Sequence, residues 1–432
     1  LLDSTPYVSY APIPILYQQK VLGIMELYAA EPGLITSEKI KLLENLYAEL
    51  AQLMKMGHEI FEHSIREVIS DHFTVIQPSV AWRFNEVALS YLDQQFTHGK
   101  VIEKEPIVFE SVFPLYGAVD IPNSSLIRNN AIRADWQLQL QWLQKTANEL
   151  APFKLPEIQE ALQQQIAFFI ENNIDRPISG ETISTWNMLD RRLQKLLTAV
   201  MKERPETASI VKAYLDAIDI TKGSCSINRR NLDISMQQVI AGIDVLLDEM
   251  NKQMQLIFPA YYNKFRTDGI EYDLYVGQSI NPQSQFNSVQ LHLLHALQLD
   301  YMRKIALHNK TQQRALLVPL QSTQLIFVNT DVIDITFRED EKRFDVEGAY
   351  NIRYQMIKKR IDKVRLRHSD ERLTQPGKIA IVYMSEFDVA DYRSQLEELV
   401  EKGSFSNLEH LELEDLQGIT GLKALRVIVE NA

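Results

Sequence analysis

Apolar residues recur along this chain with two different periods, and the places where one period gives way to the other divide it into elements. Residues 13–28 alternate as PILYQQ and VLGIMELYA around a polar break at Gln18–Lys20, which predicts a hairpin. From Ser37 the spacing changes to three and four. Ile40, Leu43, Tyr47, Leu50, Met54, Phe61 and Val68 then mark a helix capped by Thr36 or Ser37, with Glu38 in its first turn. A second helix is expected over 79–97, stopped by His98-Gly99. The next segment carries Ile107, Phe109, Val112 and Phe113 and reads as a short strand ended by Pro114. From Leu126 to about Phe258 the period is helical, broken at Pro152 and Pro156, at 176–180, at Pro205 and at 223–231. Its stripes predict an antiparallel bundle whose long last helix carries Met236, Ile240, Ile243, Leu247, Met250 and Met254. Beyond Pro259 the alternation returns. Strands are expected at 270–276, 324–328, 332–337, in KIAIVYM and near both ends of the last 30 residues, interleaved with helices at 289–307, 349–364 and in DVADYRSQLEELVEK.

This pattern defines an α+β, multidomain fold class: a hairpin and long helix, a helical bundle in the middle, and a C-terminal α/β domain with a mixed sheet. The expected boundaries are 1–68, 69–137, 138–262 and 263–432, the last placed where period 3.6 becomes period two across Pro259.

Chemistry is densest between Glu105 and Asp135. After the strand, Gly117 permits a positive φ and Pro122 fixes its own, which predicts a turn. Asn123, Ser124 and Ser125 then offer three N-caps to a helix beginning near Leu126. Free N–H groups at a helix start, serine hydroxyls and guanidinium groups together favour an anion. The candidate ligand-binding residues are therefore Tyr116, Asp120, Ser124, Ser125, Arg128 and Arg133. Arg133 lies five residues beyond Arg128, about 140° around the helix, so it is expected to pair with Asp120 or Asp135 instead.

The hairpin with a glycine in its second strand (VLGIMEL), the short loop AEPGLI and the capped, leucine-rich helix SEKIKLLENLYAELAQLM resemble the final third of a GAF domain, over about residues 7–56. The resemblance implies a sensor region. The ligand pocket of GAF domains is built mainly from earlier elements outside this match, so no ligand contact carries over to a residue here. The chain begins without methionine and enters strand-like sequence almost at once, which leads us to expect an upstream part.

The heptad-like stripe of the following helix predicts a homodimer through residues 40–68. His58 and His63 flank Glu59 and Glu62 on it, but a spacing of five sends the two imidazoles to different faces. His292 and His295 do share a face, yet two ligands do not make a metal site. The acidic turn 339–345 lacks the register of a calcium loop and contains Arg338, Lys342 and Arg343 at or inside it. The cationic run from Arg353 to Arg367 faces a strongly acidic last segment, so internal pairing is expected.

With 57 acidic and 45 basic residues the chain carries a net charge of −12, which argues against wholesale nucleic-acid or acidic-membrane binding. One cysteine, Cys225, excludes an internal disulfide and points to a cytoplasmic home. No run reaches the length of a membrane span. Phosphate-loop, dinucleotide, nucleophile-elbow and kinase motifs are missing. The sequence thus reads as a cytoplasmic, bacterial-type signalling or regulatory protein acting by ligand or partner binding, leaning away from an enzyme. The alternatives are an enzyme acting on a phosphate- or carboxylate-bearing small molecule, or a scaffold.

Overall fold

A computed structural model describes residues 7–72, 76–98, 105–172, 178–347, 360–416 and 419–430. It shows an α+β fold that divides into two compact units, Leu1–Glu110 with Asp334–Glu347, and Ser111–Ile333 with Gly348–Ala432.

In the first unit, strands β1 (Ser9–Tyr17) and β2 (Lys20–Ala29) pair antiparallel. Gln18 and Gln19 take φ of 46° and 64°, the left-handed pair that a two-residue hairpin turn demands. Helix α1 (Ser37–Leu42) is capped by Thr36, whose Oγ1 accepts the N–H of Lys39, and α2 (Glu44–His72) comes immediately after it. The first half of α2 packs on the hairpin. Gly23 of β2 leaves room there for Met54, since a Cβ would lie 2.2 Å from its Cε and the thioether would have to move aside. The second half packs Ile65, Val68 and Ile69 against Ala88 and Leu92 of α3 (Ala81–His98). Strand β3 (Val108–Asp120) begins in this unit, where Phe109 joins Phe84, Phe337 and Phe344 in a cluster with ring centroids 5.0 to 6.0 Å apart. The last two rings come from strands β7 (Ile333–Arg338) and β8 (Arg343–Val346), whose connecting turn is the acidic segment 339–342.

The second unit is organised on seven strands. Their order is β10 (Phe405–Glu412), β11 (Lys423–Val429), β9 (Lys378–Tyr383), β6 (Thr323–Val328), β3, β5 (Ile270–Val276) and β4 (Tyr261–Arg266). Only β6 and β9 run parallel; every other neighbour is antiparallel. Helices α8 (Ile227–Ile257), α9 (Ser288–Gln312) and α10 (Glu386–Glu401) bury their apolar stripes on one face of this sheet. A second core lies between α4 (Ser124–Leu150), α5 (Pro156–Asn172), α6 (Gly180–Glu203) and α7 (Ala208–Ile218), centred on Trp136 and Trp186. Their ring centroids are 4.9 Å apart.

Three expectations change. The strand predicted to stop at Pro114 runs on to Asp120, with Gly117 in its middle rather than in a turn. Pairing to β6 begins only at Leu115, so Pro114 lies just outside that ladder, where a missing N–H costs least. Gly117 serves packing instead: a Cβ there would lie 2.5 Å from both Cζ and the hydroxyl of Tyr272. The fourth bundle helix, α8, belongs to the sheet core, since Met236, Ile243, Leu247, Met250 and Met254 pack with Tyr272, Leu274 and Ile326. The boundary expected near 258–269 therefore falls inside one continuous core. A helical stripe records that a face is covered, not whether helices or a sheet cover it. Finally, the helix expected over 349–364 lies mostly outside the described residues. Its last few positions form a 3₁₀ turn, Ile361–Lys363, and an antiparallel bridge then joins Arg365 to Arg372.

Candidate functional site

Strand β3 ends at Asp120, and Ile121, Pro122 and Asn123 turn the chain into α4. Asn123 is the N-cap in the left-handed conformation (φ 59°), and its side chain makes no cap hydrogen bond to the first turn. Of the three caps that the sequence offers, the helix takes the first, Asn123, and begins at Ser124 without the usual side-chain hydrogen bond. The first-turn amides of a long helix carry a partial positive charge.

A cleft of about 670 Å³ opens beside this helix start, lined in part by Asp120, Asn123, Ser124, Ser125, Asn130 and Thr323. Lys363 and Arg372 line the same cleft, brought from more than two hundred residues away by the 3₁₀ turn and the bridge after it. Both cations are exposed.

Of the six residues that the sequence singles out, the cleft gathers Asp120, Ser124 and Ser125. Tyr116 is 2% exposed within β3, and its carbonyl accepts from Nε2 of Gln298 at 3.2 Å. Arg128 pairs with Asp268 of the β4–β5 turn at 3.4 Å, and Oγ of Ser124 donates to the same carboxylate at 2.6 Å. Asp268 thus draws Arg128 out of the anion-binding role expected of it. Arg133 is not among the lining residues, and the Asp135 carboxylate offered to it is held by Arg229 at 2.7 Å instead. Tertiary contact across about a hundred residues decides that pairing.

Lys363 belongs to the cationic run that sequence reasoning pairs with the acidic end, and Arg372, five residues beyond that run, is not singled out by it. That pairing is real for Arg367, which reaches Asp415 at 2.6 Å, whereas Arg365 pairs with Asp370, five residues along the chain, at 2.6 Å. Arg353, Lys358 and Lys359 lie outside the described residues.

Away from the cleft, Asp391 of α10 receives Nδ1 of His292 and Nδ1 of His295, each at 2.5 Å, one on each carboxylate oxygen. Burial pushes the Asp391 carboxyl up, but the hydrogen bonds from His295 and His292 outweigh it and leave it below its ordinary value. The geometry is a clamp between α9 and α10. Among the described residues no group of three His, Cys, Asp or Glu is placed to hold a metal ion. Cys225 is buried, and burial pushes its thiol up to about 11. Among the described residues no helix is long and apolar enough to cross a membrane.

No protein-family model matches this chain, and no curated protein matches it. Among solved structures it is similar to the crystal structure of the adenylyl cyclase CyaB from P. aeruginosa, at 15% identity and a TM-score of 0.27, over 44% of this chain and 82% of that one. At that TM-score the likeness says nothing of what this chain binds or does.

Proposed function

We propose that this chain is a regulatory binding protein in which the cleft at the start of α4 takes a small phosphate- or carboxylate-bearing anion, coupled in the cytoplasm to a GAF-like sensor segment. One observation carries the reading: Lys363 and Arg372 line the same cleft as an N-terminal helix turn that its own N-cap side chain leaves uncapped. The helix end favours negative charge by about 0.3 to 1 kcal/mol, and a hydrogen bond from each cation adds about 1.5 to 3 kcal/mol. Together these support affinities from micromolar to millimolar. Asp120 in the lining sets a preference, since a ligand with a hydroxyl or amino group beside its anionic end can also donate to that carboxylate.

The test is thermal unfolding with inorganic phosphate or a nucleoside monophosphate added. A rise in Tm that is lost in Lys363→Ala/Arg372→Ala supports the proposal. No rise at about 10 mM ligand, or a rise unchanged in the double variant, overturns it. Recovery of the nucleotide unchanged after prolonged incubation separates binding from the rival enzymatic reading.

A further inference from the structure

The stripe from Ile40 to Val68, whose spacing predicts association, is half-buried at Ile40, Leu43, Tyr47, Leu50 and Val68. The hairpin and α3 take much of that side, with Met54 against Gly23, and Val68 beside Ile65 against Ala88 and Leu92. A different set of apolar side chains stands clear of it. Leu46, Leu53, Met56 and Ile60 of α2 are 48%, 66%, 52% and 65% exposed, and Leu42 just ahead of them is 76% exposed.

Their spacing is four, seven, three and four. That is the a and d register of a heptad, with Leu46, Leu53 and Ile60 at a, and Leu42 and Met56 at d. In the same register Ala51 and Ile65, the two most buried residues of the helix, fall at f, directly opposite. So α2 is apolar on two opposed faces, of which the chain's own hairpin and α3 cover only one. About half of the large exposed apolar side chains among the described residues lie between Tyr7 and Phe61, so the excess is local to this part of the chain.

We infer that the a/d seam of α2 is a docking surface for the same seam of a second copy of this chain. A seam with heptad spacing is matched by a helix of the same spacing, and a second copy supplies one in a two-fold arrangement. The seam is also self-complementary. Paired antiparallel, Leu42 meets Ile60 of the partner subunit and Leu46 meets Met56 of the partner subunit, while the two Glu49 carboxylates, which occupy a d position, stay apart. Such a pairing runs about 27 Å, with Leu42 contributed by the end of α1, and buries on the order of 1,000 Å² over both copies, the lower limit for a specific interface and in keeping with association at tens of micromolar.

Sedimentation velocity on the full chain tests this. We expect a dimer at tens of micromolar, and a dissociation constant at least tenfold weaker in Leu53→Glu and in Ile60→Glu. Leu256→Glu, a change at a still more exposed leucine on α8, should leave the dimer intact. Because the seam residues are exposed, circular dichroism of the variants should match the parent, and so should Tm measured at a concentration low enough that the parent is monomeric too, which separates lost association from lost folding. A parent chain that is monomeric up to about 100 µM, or a dimer that survives Leu53→Glu/Ile60→Glu, overturns the inference.

Discussion

The carboxylate of Asp135 on α4 accepts Nε–H of Arg229 on α8 at 2.7 Å, and the same carboxylate takes the backbone N–H groups of Asn228 and Arg229 at 2.8 and 3.2 Å. Nδ2 of Asn228 adds a fourth hydrogen bond at 3.0 Å. Ser226, the N-cap of α8, makes no side-chain cap of its own, so the helix start is closed by an anion from another helix. Asp135 is fully buried, and its removal leaves those donors without their acceptor. We expect Asp135→Ala to cost about 3 to 5 kcal/mol, read as a shifted midpoint in urea unfolding. A shift below about 1 kcal/mol would show that water replaces the carboxylate freely.

Gly117 and Gly377 predict opposite kinds of cost. At Gly117 an added methyl meets the Tyr272 ring, so Gly117→Ala should destabilise by about 1 to 3 kcal/mol through overpacking. Gly377 has a φ of 73° with nothing near its Cβ position, so Gly377→Ala should cost only about 1 kcal/mol, through the backbone. Denaturant midpoints for the two variants should therefore differ, with Gly117→Ala the lower.

The Asp391 clamp has a defined pH dependence. Its carboxyl is held below the ordinary value in the folded chain, so its contribution is fully present above the unfolded pKa, about 3.9, and is lost as pH falls through the lower folded value. Asp391→Asn should lower Tm at neutral pH and flatten the acid limb of Tm against pH. An unchanged acid limb in the variant would assign acid sensitivity to other carboxylates, such as Asp244, where burial raises the pKa but Lys264 and Arg266 bring it net down.

Cys225 should be nearly inert in the native chain. With its thiol pushed up to about 11 by burial, almost none is thiolate at pH 8. Ellman's reagent should label it slowly under native conditions and fully, one thiol per chain, in denaturant. Rapid native labelling would mean that the segment around Gly223 opens readily.

Much of the secondary structure was legible because it is local. The Gln18-Gln19 hairpin, the Thr36 cap and the run of strands and helices after Pro259 each arise from periods and turn chemistry within a few residues. The candidate site was legible only in its local half. Asp120, Asn123, Ser124 and Ser125 are contiguous at a strand-to-helix junction, and a window of that size contains its own signal.

The tertiary structure alone decided the choices between partners that sequence leaves equal. Asp268 takes Ser124 and Arg128, Arg229 takes Asp135, and Lys363 and Arg372 arrive at the helix start, all through contacts spanning from about a hundred to more than two hundred residues. The same holds for Gly117, whose role depends on Tyr272 across the strand pair, and for α8, whose stripe fits a bundle or a sheet equally well. Periodicity fixes which side of an element is apolar; only packing fixes what that side meets, because the hydrophobic effect rewards area removed from water and not the identity of what removes it.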